Sequence, residues 1–230
     1  MADSVLVVAA HPDDEVLGCG GTIARHSDAG DYVQVLIVAE GATSRQEYYQ
    51  GRRRGKEQIS ILAQAAKTAG AILGTTSVKL LNLPDNRLDS ISRLDLARLV
   101  EVWVQKCHPN VIYVHHAGDV NIDHRRLHEA VVTACRPTPG NTVKRLLSFE
   151  VSSSTEWQPP GSGVAFHPNL FVDITNQWER KRQALDAYIS EMRSWPHARS
   201  AQAVEHLARW RGAQIGVPVA EAFCLLRELI

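Results

Sequence analysis

Apolar positions along the chain fall into two kinds of stretch. Val5 to Ala10 is a continuous run rich in Val and Ala without alternation, the pattern of a strand covered on both faces in a parallel sheet. From Pro12 the period changes. A proline and three acids fill a first turn, and Val16, Leu17 and Ile23 recur at helical spacing, which predicts strand, short turn and helix. The unit then repeats: Val33 to Ala39 predicts a second strand, and after a polar loop a helix runs from Arg52 to Ala69, closed by Gly70. Val78 to Leu83 predicts a third strand ending at Pro84, Leu94 to Lys106 a helix, Val111 to His115 a fourth strand and Asp123 to Cys135 another helix. Leu146 to Val151 and Leu170 to Ile174 predict further strands around the Ser-, Pro- and Gly-rich loop Ser152 to Gly163; Trp178 to Met192 and Val204 to Arg211 predict helices. Such alternation means an α/β fold, a parallel sheet sandwiched by helices. At 230 residues, one domain is expected, a core over 1–150 followed by a C-terminal elaboration over 151–230.

Composition changes this picture little but excludes several partners. Hydrophobic residues at 44% and charged residues at 22% match globular averages and exclude disorder. The 25 Lys and Arg are balanced by 25 Asp and Glu, so no net field favours nucleic acid or an anionic membrane. The dense basic run Gly51 to Lys56 reads as a solvated helix start. Four dispersed cysteines, Cys19, Cys107, Cys135 and Cys224, form no CxxC pair, which argues against a disulfide framework and fits a reducing cytoplasm. The first residues lack a basic stretch before their apolar run, and no segment reaches the roughly 18 apolar residues of a membrane span. A homo-oligomer is compatible with this composition and not required by it.

Ligands of open parallel sheets bind beyond the carboxyl ends of the strands, and His11, Pro12, Asp13, Asp14 and Glu15 follow the first strand. Imidazole with carboxylate suits zinc or another divalent metal, and a spare carboxylate serves as base toward an activated water. Helix capping also accounts for the proline and acids. The fourth strand leads into Asp119, Asn121, Asp123 and His124 at the same edge of the sheet. His124 and His128 are four apart on one helical face, the spacing by which two histidines chelate a metal, but Arg125 occupies the glutamate position of an HExxH motif. His124 is assigned as the ligand and His128 to packing or to support behind the ligands; Asp123 also fits an N-cap. Gly18, Gly20 and Gly21 lie inside the helix pattern, so close packing explains them better than a dinucleotide fingerprint.

AHPDDE after an apolar strand, GCGGTIARH behind it and the later DVNIDH resemble the PIG-L/LmbE-like family of zinc-dependent N-deacetylases, GlcNAc-PI de-N-acetylase-like proteins. The likeness extends to RRGKE, LPDNRLD, SFEVSSSTEW, PNLFVDIT and the closing RG with AEAF, nearly the whole chain. It implies a three-layer Rossmann-like fold with a mostly parallel sheet and helices on both faces. It implies one zinc per chain held by His11, Asp14 and His124, with Asp13 as general base. It also assigns substrate contacts to Arg54 and Asp85, and to Asp123 the orientation of its neighbours. One departure is Asn121, where several members carry a histidine; an amide donates a hydrogen bond but delivers no proton near neutral pH.

The expected reaction is removal of an N-acetyl group from a small-molecule N-acylated substrate, sugar-like or a secondary metabolite. Asn121 is expected to stabilise the oxyanion and Asp13 to move the proton in both directions. Two alternatives stand beside it: an amidase acting on a larger conjugate at the same centre, and a sugar- or nucleotide-binding module without the chemistry. His115, His116, His197, Arg211 and Glu221 are further candidates for the site, each with a surface or structural role as the stronger reading.

Overall fold

The computed structural model describes the backbone of residues 2–45 and 52–230 and all of their side chains except those at 45 and 52–55. Strands and helices alternate through β1 (Ser4–Ala9), α1 (Asp14–Asp28), β2 (Tyr32–Ala39), α2 (Arg52–Leu73), β3 (Ser77–Leu83), α3 (Arg93–Cys107), β4 (Val111–His115) and α4 (Ile122–Ala134). There follow β5 (Arg145–Phe149), β6 (Leu170–Asp173), α5 (Trp178–Ala187), α6 (Ala201–Ala213) and β7 (Ala220–Glu228). The sheet order is β3-β2-β1-β4-β5-β7-β6, with every pair parallel except those made by β7. This is a mixed α/β fold of three layers with a mostly parallel sheet.

The lack of alternation in β1 has a direct cause. Val5, Val7 and Ala9 enter a core shared with α1, α2 and α5, while Leu6, Val8 and Ala10 enter a second core shared with α3 and α4. Both faces are apolar because both are covered. From β1 the order runs outward to β2 on one side and β4 on the other, so the crossover direction reverses between β1 and β4. A crevice opens there at the carboxyl ends, where such folds bind ligands.

Three expectations are corrected. Gly70 does not close α2: the helix continues to Leu73, and Gly74, at φ +80°, ends it. Gly70 serves packing instead, since a Cβ there would stand 2.4 Å from Val78 Cγ2. Helix α5 stops at Ala187 rather than Met192, and β7 was not expected at all. Glycines of α1 do pack closely: a Cβ on Gly18 would meet the Phe149 ring at 2.2 Å and one on Gly21 would meet Ile174 at 2.6 Å.

Helix α1 also breaks at Cys19 (φ −147°, ψ 24°). Glu221 of β7 closes the break, accepting Gly21 N–H at 2.9 Å, Thr22 N–H at 2.7 Å and the Thr22 hydroxyl at 2.6 Å. Lys181 of α5 neutralises it through a buried 2.6 Å contact and donates to the Leu17 carbonyl. Glu221 is therefore a cap inside the core rather than a substrate residue. Arg211 likewise pairs with Glu150 at 2.8 Å. No helix among the described residues is long and apolar enough to cross a membrane.

Candidate active site

The turn after β1 places three side chains in different directions. His11 points its Nδ1 at Asp14 Oδ2, 3.2 Å away, and the same oxygen accepts the His11 backbone N–H at 2.8 Å. Asp13 precedes α1 with φ 110° and ψ −28°, a conformation that costs a non-glycine residue roughly 1–3 kcal/mol. An aspartate at a helix start ordinarily folds its carboxylate back onto the first N–H groups. Here it makes no such bond, and the carboxylate turns to Arg199 Nη1 at 2.9 Å.

From the neighbouring crossover, α4 delivers His124. Its N-cap is Asn121, whose side-chain oxygen accepts Asp123 N–H at 2.8 Å, so the capping expectation for Asp123 is corrected. Because that oxygen is used, the Asn121 amide nitrogen is the group left to donate into the cavity that Asn121 lines. Asp123 sits inside the first turn, its carboxylate accepting the N–H groups of Asn86 at 2.7 Å and Leu88 at 2.8 Å and facing His11 Nε2 at 3.1 Å. Asp85 Oδ1 also lies 3.1 Å from that nitrogen. Asp119 Oδ2 faces His124 Nδ1 at 3.1 Å and accepts the Thr155 hydroxyl at 2.7 Å.

One ring nitrogen of each histidine is thus held by carboxylates, and the other turns toward Asp14. His124 Nε2 lies 3.2 Å from Asp14 Oδ2, at ion-pair distance, but is a buried atom without hydrogen-bond geometry to any partner. His11, Asp14 and His124 each offer one atom, all within 4.8 Å of one another. Two imidazoles and a carboxylate, with the distal nitrogens anchored, fit a divalent metal of the zinc type. His11, Asp85 and Asp123 also lie close enough together, but both aspartates are engaged, Asp123 by backbone N–H groups and Asp85 by Ser44 and Asn86.

The charges point the same way. Burial disfavours an imidazolium at His11, but hydrogen bonds to Asp123, Asp14 and Asp85 outweigh it and raise the pKa well above the usual value. Burial likewise opposes a charge on His124, and Asp14 and Asp119 overcome it, raising the pKa to about 9. Asp14 is lowered: burial resists the anion, but the charge of His124 and the hydrogen bond from His11 prevail. The carboxylates therefore demand positive charge, and protons supply it in the chain by itself. Asp13 is raised to about 7, burial outweighing the opposing charge of Arg199.

His115 is fully buried, stacks on His124 with ring centroids 3.8 Å apart and accepts Ala10 N–H on Nε2 at 2.8 Å. Burial and the neighbouring His124 push its pKa well down, so it remains neutral packing beneath the ligand. His128 donates from Nδ1 to the His115 carbonyl at 2.7 Å, away from the site, and His116 reaches the Val164 carbonyl at 2.8 Å.

A cavity of about 290 Å³ opens over these groups. Its floor is His11, Asp13, Asp14 and His124, and its walls include Asp85, Asn121, Ser153, Trp157, His197 and Arg199. The Arg54 side chain lies outside the described residues. Arg199 and Ser153 carried no assignment from sequence, Trp157 reads there as packing before substrate contact, and Asp119 carried none beyond its presence in the loop. Asp119 had a signal in its spacing from His124; Arg199, 186 residues from the Asp13 it touches, had none.

Comparison with known proteins bears on the family and the fold. A model of the PIG-L family, described as GlcNAc-PI de-N-acetylase, matches residues 6–135. An Escherichia coli K12 protein named uncharacterized deacetylase YaiS is 25% identical over 179 residues, covering 76% of this chain and 83% of the relative. Diacetylchitobiose deacetylase of Thermococcus kodakarensis is 26% identical over 200 residues, covering 81% and 69%. The crystal structure of GalB, the 4-carboxy-2-hydroxymuconate hydratase from Pseudomonas putida KT2440, superposes with a TM-score of 0.77 at 22% identity over 99% of this chain and 98% of that one, a likeness that speaks for the fold alone. Strand-end motif, paired histidines and family match converge: the chain belongs to the PIG-L family of de-N-acetylases and is a hydrolase of carbon–nitrogen bonds other than peptide bonds.

Proposed function

We propose that this protein removes an N-acetyl group from a small amino-sugar substrate, with one zinc ion per chain held by His11, Asp14 and His124. The observation that carries the reading is the convergence of those three ligand atoms beside an Asp13 carboxylate that caps nothing and faces the cavity. Zinc bound there would act as a Lewis acid toward the substrate carbonyl and the attacking water. Asp13 accepts the proton of that water as it adds to the carbonyl carbon. The Asn121 amide N–H donates to the oxygen that becomes negative. Asp13 then returns the proton to the nitrogen as the carbon–nitrogen bond breaks, giving acetate and a free amine, because Asn121 has no proton to give. A pKa near 7 suits a group that both takes and returns a proton.

The cavity of about 290 Å³ is large enough to seat a sugar unit at the ligand cluster. Names of relatives support the same class, among them diacetylchitobiose deacetylase and probable N-acetyl-α-D-glucosaminyl L-malate deacetylase. The four free cysteines fit a reducing cytoplasm as the place of the reaction. The test is metal content together with acetate release from a panel of N-acetylated sugars. About one zinc per chain and metal-dependent acetate release, both lost in His124→Ala, support the reading. Asp13→Asn retaining zinc and more than a few per cent of turnover would remove Asp13 as the base. Zinc without acetate release would favour the larger-conjugate amidase, and no metal the binding module.

A further inference from the structure

Asp13 holds a backbone conformation that its own side chain does nothing to support, so other groups must fix it. Its N–H is accepted by Glu15 Oε2 at 3.1 Å. The other oxygen of Glu15 accepts the Tyr188 hydroxyl at 2.6 Å, and both residues are buried, Glu15 at 3% and Tyr188 at 0% exposure. Tyr188 follows α5, and its carbonyl accepts the N–H groups of Glu191 and Met192, starting the segment that leads to Arg199. Arg199 in turn grips the Asp13 carboxylate from Nη1 and donates from Nε to the Ser153 hydroxyl at 2.9 Å. One stretch of chain therefore holds Asp13 at two points, by the main chain through Glu15 and by the side chain through Arg199. Tyr188 and Arg199 both lie outside the segment 6–135 that matches the family.

We infer that the Tyr188–Glu15 pair is a positioning device for Asp13: it holds the residue in its left-handed turn and so aims the base into the cavity. This inference rests on the deacetylase reading above for its kinetic test. Neither residue touches the cavity, so they act through Asp13 and not on substrate. The geometry requires an acceptor at position 15 for the Asp13 N–H and a hydroxyl at position 188 to give or take the second hydrogen bond, not a charge at either.

The experiment is a double-mutant cycle on the zinc-loaded enzyme. Tyr188→Phe keeps the ring and removes the hydroxyl; the expected result is about a tenfold fall in kcat with KM and zinc content unchanged, as misaligned groups lose rate rather than binding. In an Asp13→Asn background the same change should lower the residual rate no further, because a residue acting through Asp13 has nothing left to act on. Equal losses in both backgrounds would overturn the inference and make Tyr188 a packing residue. Glu15→Gln, which keeps an oxygen for the Asp13 N–H, should stay within about threefold of wild type, and Glu15→Leu should lose about 10–100-fold. Similar losses in both would also overturn it. If the wild type releases no acetate from any substrate, the deacetylase reading fails separately, and positioning is then read from crystal structures. Asp13 leaving positive φ in Tyr188→Phe or Glu15→Leu would support it, and an unmoved Asp13 in both would overturn it.

Discussion

At the scale of single residues, the ligands depend on carboxylates behind them. Asp119 faces His124 Nδ1 at 3.1 Å and keeps the ring proton there, leaving Nε2 as the donor atom. Asp119→Ala should weaken metal affinity by about 10–100-fold, the usual effect of removing such a support. Competition with a chromogenic chelator measures this; unchanged affinity would show that His124 is oriented by its packing on His115. Protonation gives a second test. His124, raised to about 9 from 6.5, stabilises the metal-free fold fully below pH 6.5 and loses that contribution as pH rises through 9. The loss amounts to about 3 kcal/mol for this group alone. His11, also raised, acts in the same direction from pH 6.5 upward; Asp13 loses its contribution earlier, as pH rises from 3.8 through about 7, and lowered Asp14 contributes above its unfolded value and is lost only in acid. Urea midpoints of metal-free protein should therefore fall between pH 6.5 and 9, while metal affinity rises as fewer protons must be displaced. A flat or rising midpoint would sink this account.

Residue legibility follows from the same geometry. His11, Asp13 and Asp14 were readable because a strand and the start of a helix place them locally, and His124 because the parallel topology brings a second strand end to the same edge. Arg199 was not readable, since its contact with Asp13 exists only once the C-terminal segment has folded back. Nor was the use of Asn121 rather than Asp123 as cap: both types cap helices well, and the choice was made when Asp123 turned to the N–H groups of Asn86 and Leu88.

At the scale of elements, the break in α1 ties the site-bearing helix to β7. Glu221 satisfies two backbone N–H groups and Lys181 at once, so Glu221→Ala leaves a buried ammonium without its counter-charge. Removing one partner of such a pair typically costs about 3–5 kcal/mol. Combining Lys181→Met with Glu221→Gln keeps an acceptor for the Thr22 N–H and leaves no charge unpaired, so the double variant should be more stable than Glu221→Ala. Urea unfolding decides it: a double variant no better than the single would mean that the ion pair adds little beyond the cap. The same residue explains why β7 escaped the hydrophobic pattern. A glutamate second in the run and an exposed latter half give AEAFCLLRE neither a continuous apolar run nor clean alternation. Strands β1, β2 and β4, largely buried and parallel, carried the strong signal; α1 and α2 did as well, except where the glycines served packing rather than termination.

For the whole molecule, the question is whether the segment that identifies the family can stand without the rest. Residues 1–150 contain β1 to β5, but β7 inserts between β5 and β6, and Leu146 to Phe149 pair along it. The core on the α1 face draws Ala184, Leu185, Tyr188, Val204 and Phe223 from beyond residue 150, and Tyr113 packs on Phe223 with ring centroids 5.1 Å apart. Cutting there would bare Phe149, open β5 as an unprotected apolar edge and remove the cap at the break in α1. It would also remove Tyr188 and Arg199, and with them both holds on Asp13. A fragment of residues 1–150 should therefore show no cooperative urea transition, bind a hydrophobic dye and hold zinc far more weakly than the full chain. A sigmoidal transition with dispersed amide resonances would instead make the first 150 residues a folding unit to which the rest was added. The geometry argues for the opposite: the strand that completes the sheet and the segment that grips Asp13 arrive together, so assembly of the fold and alignment of the base are one event.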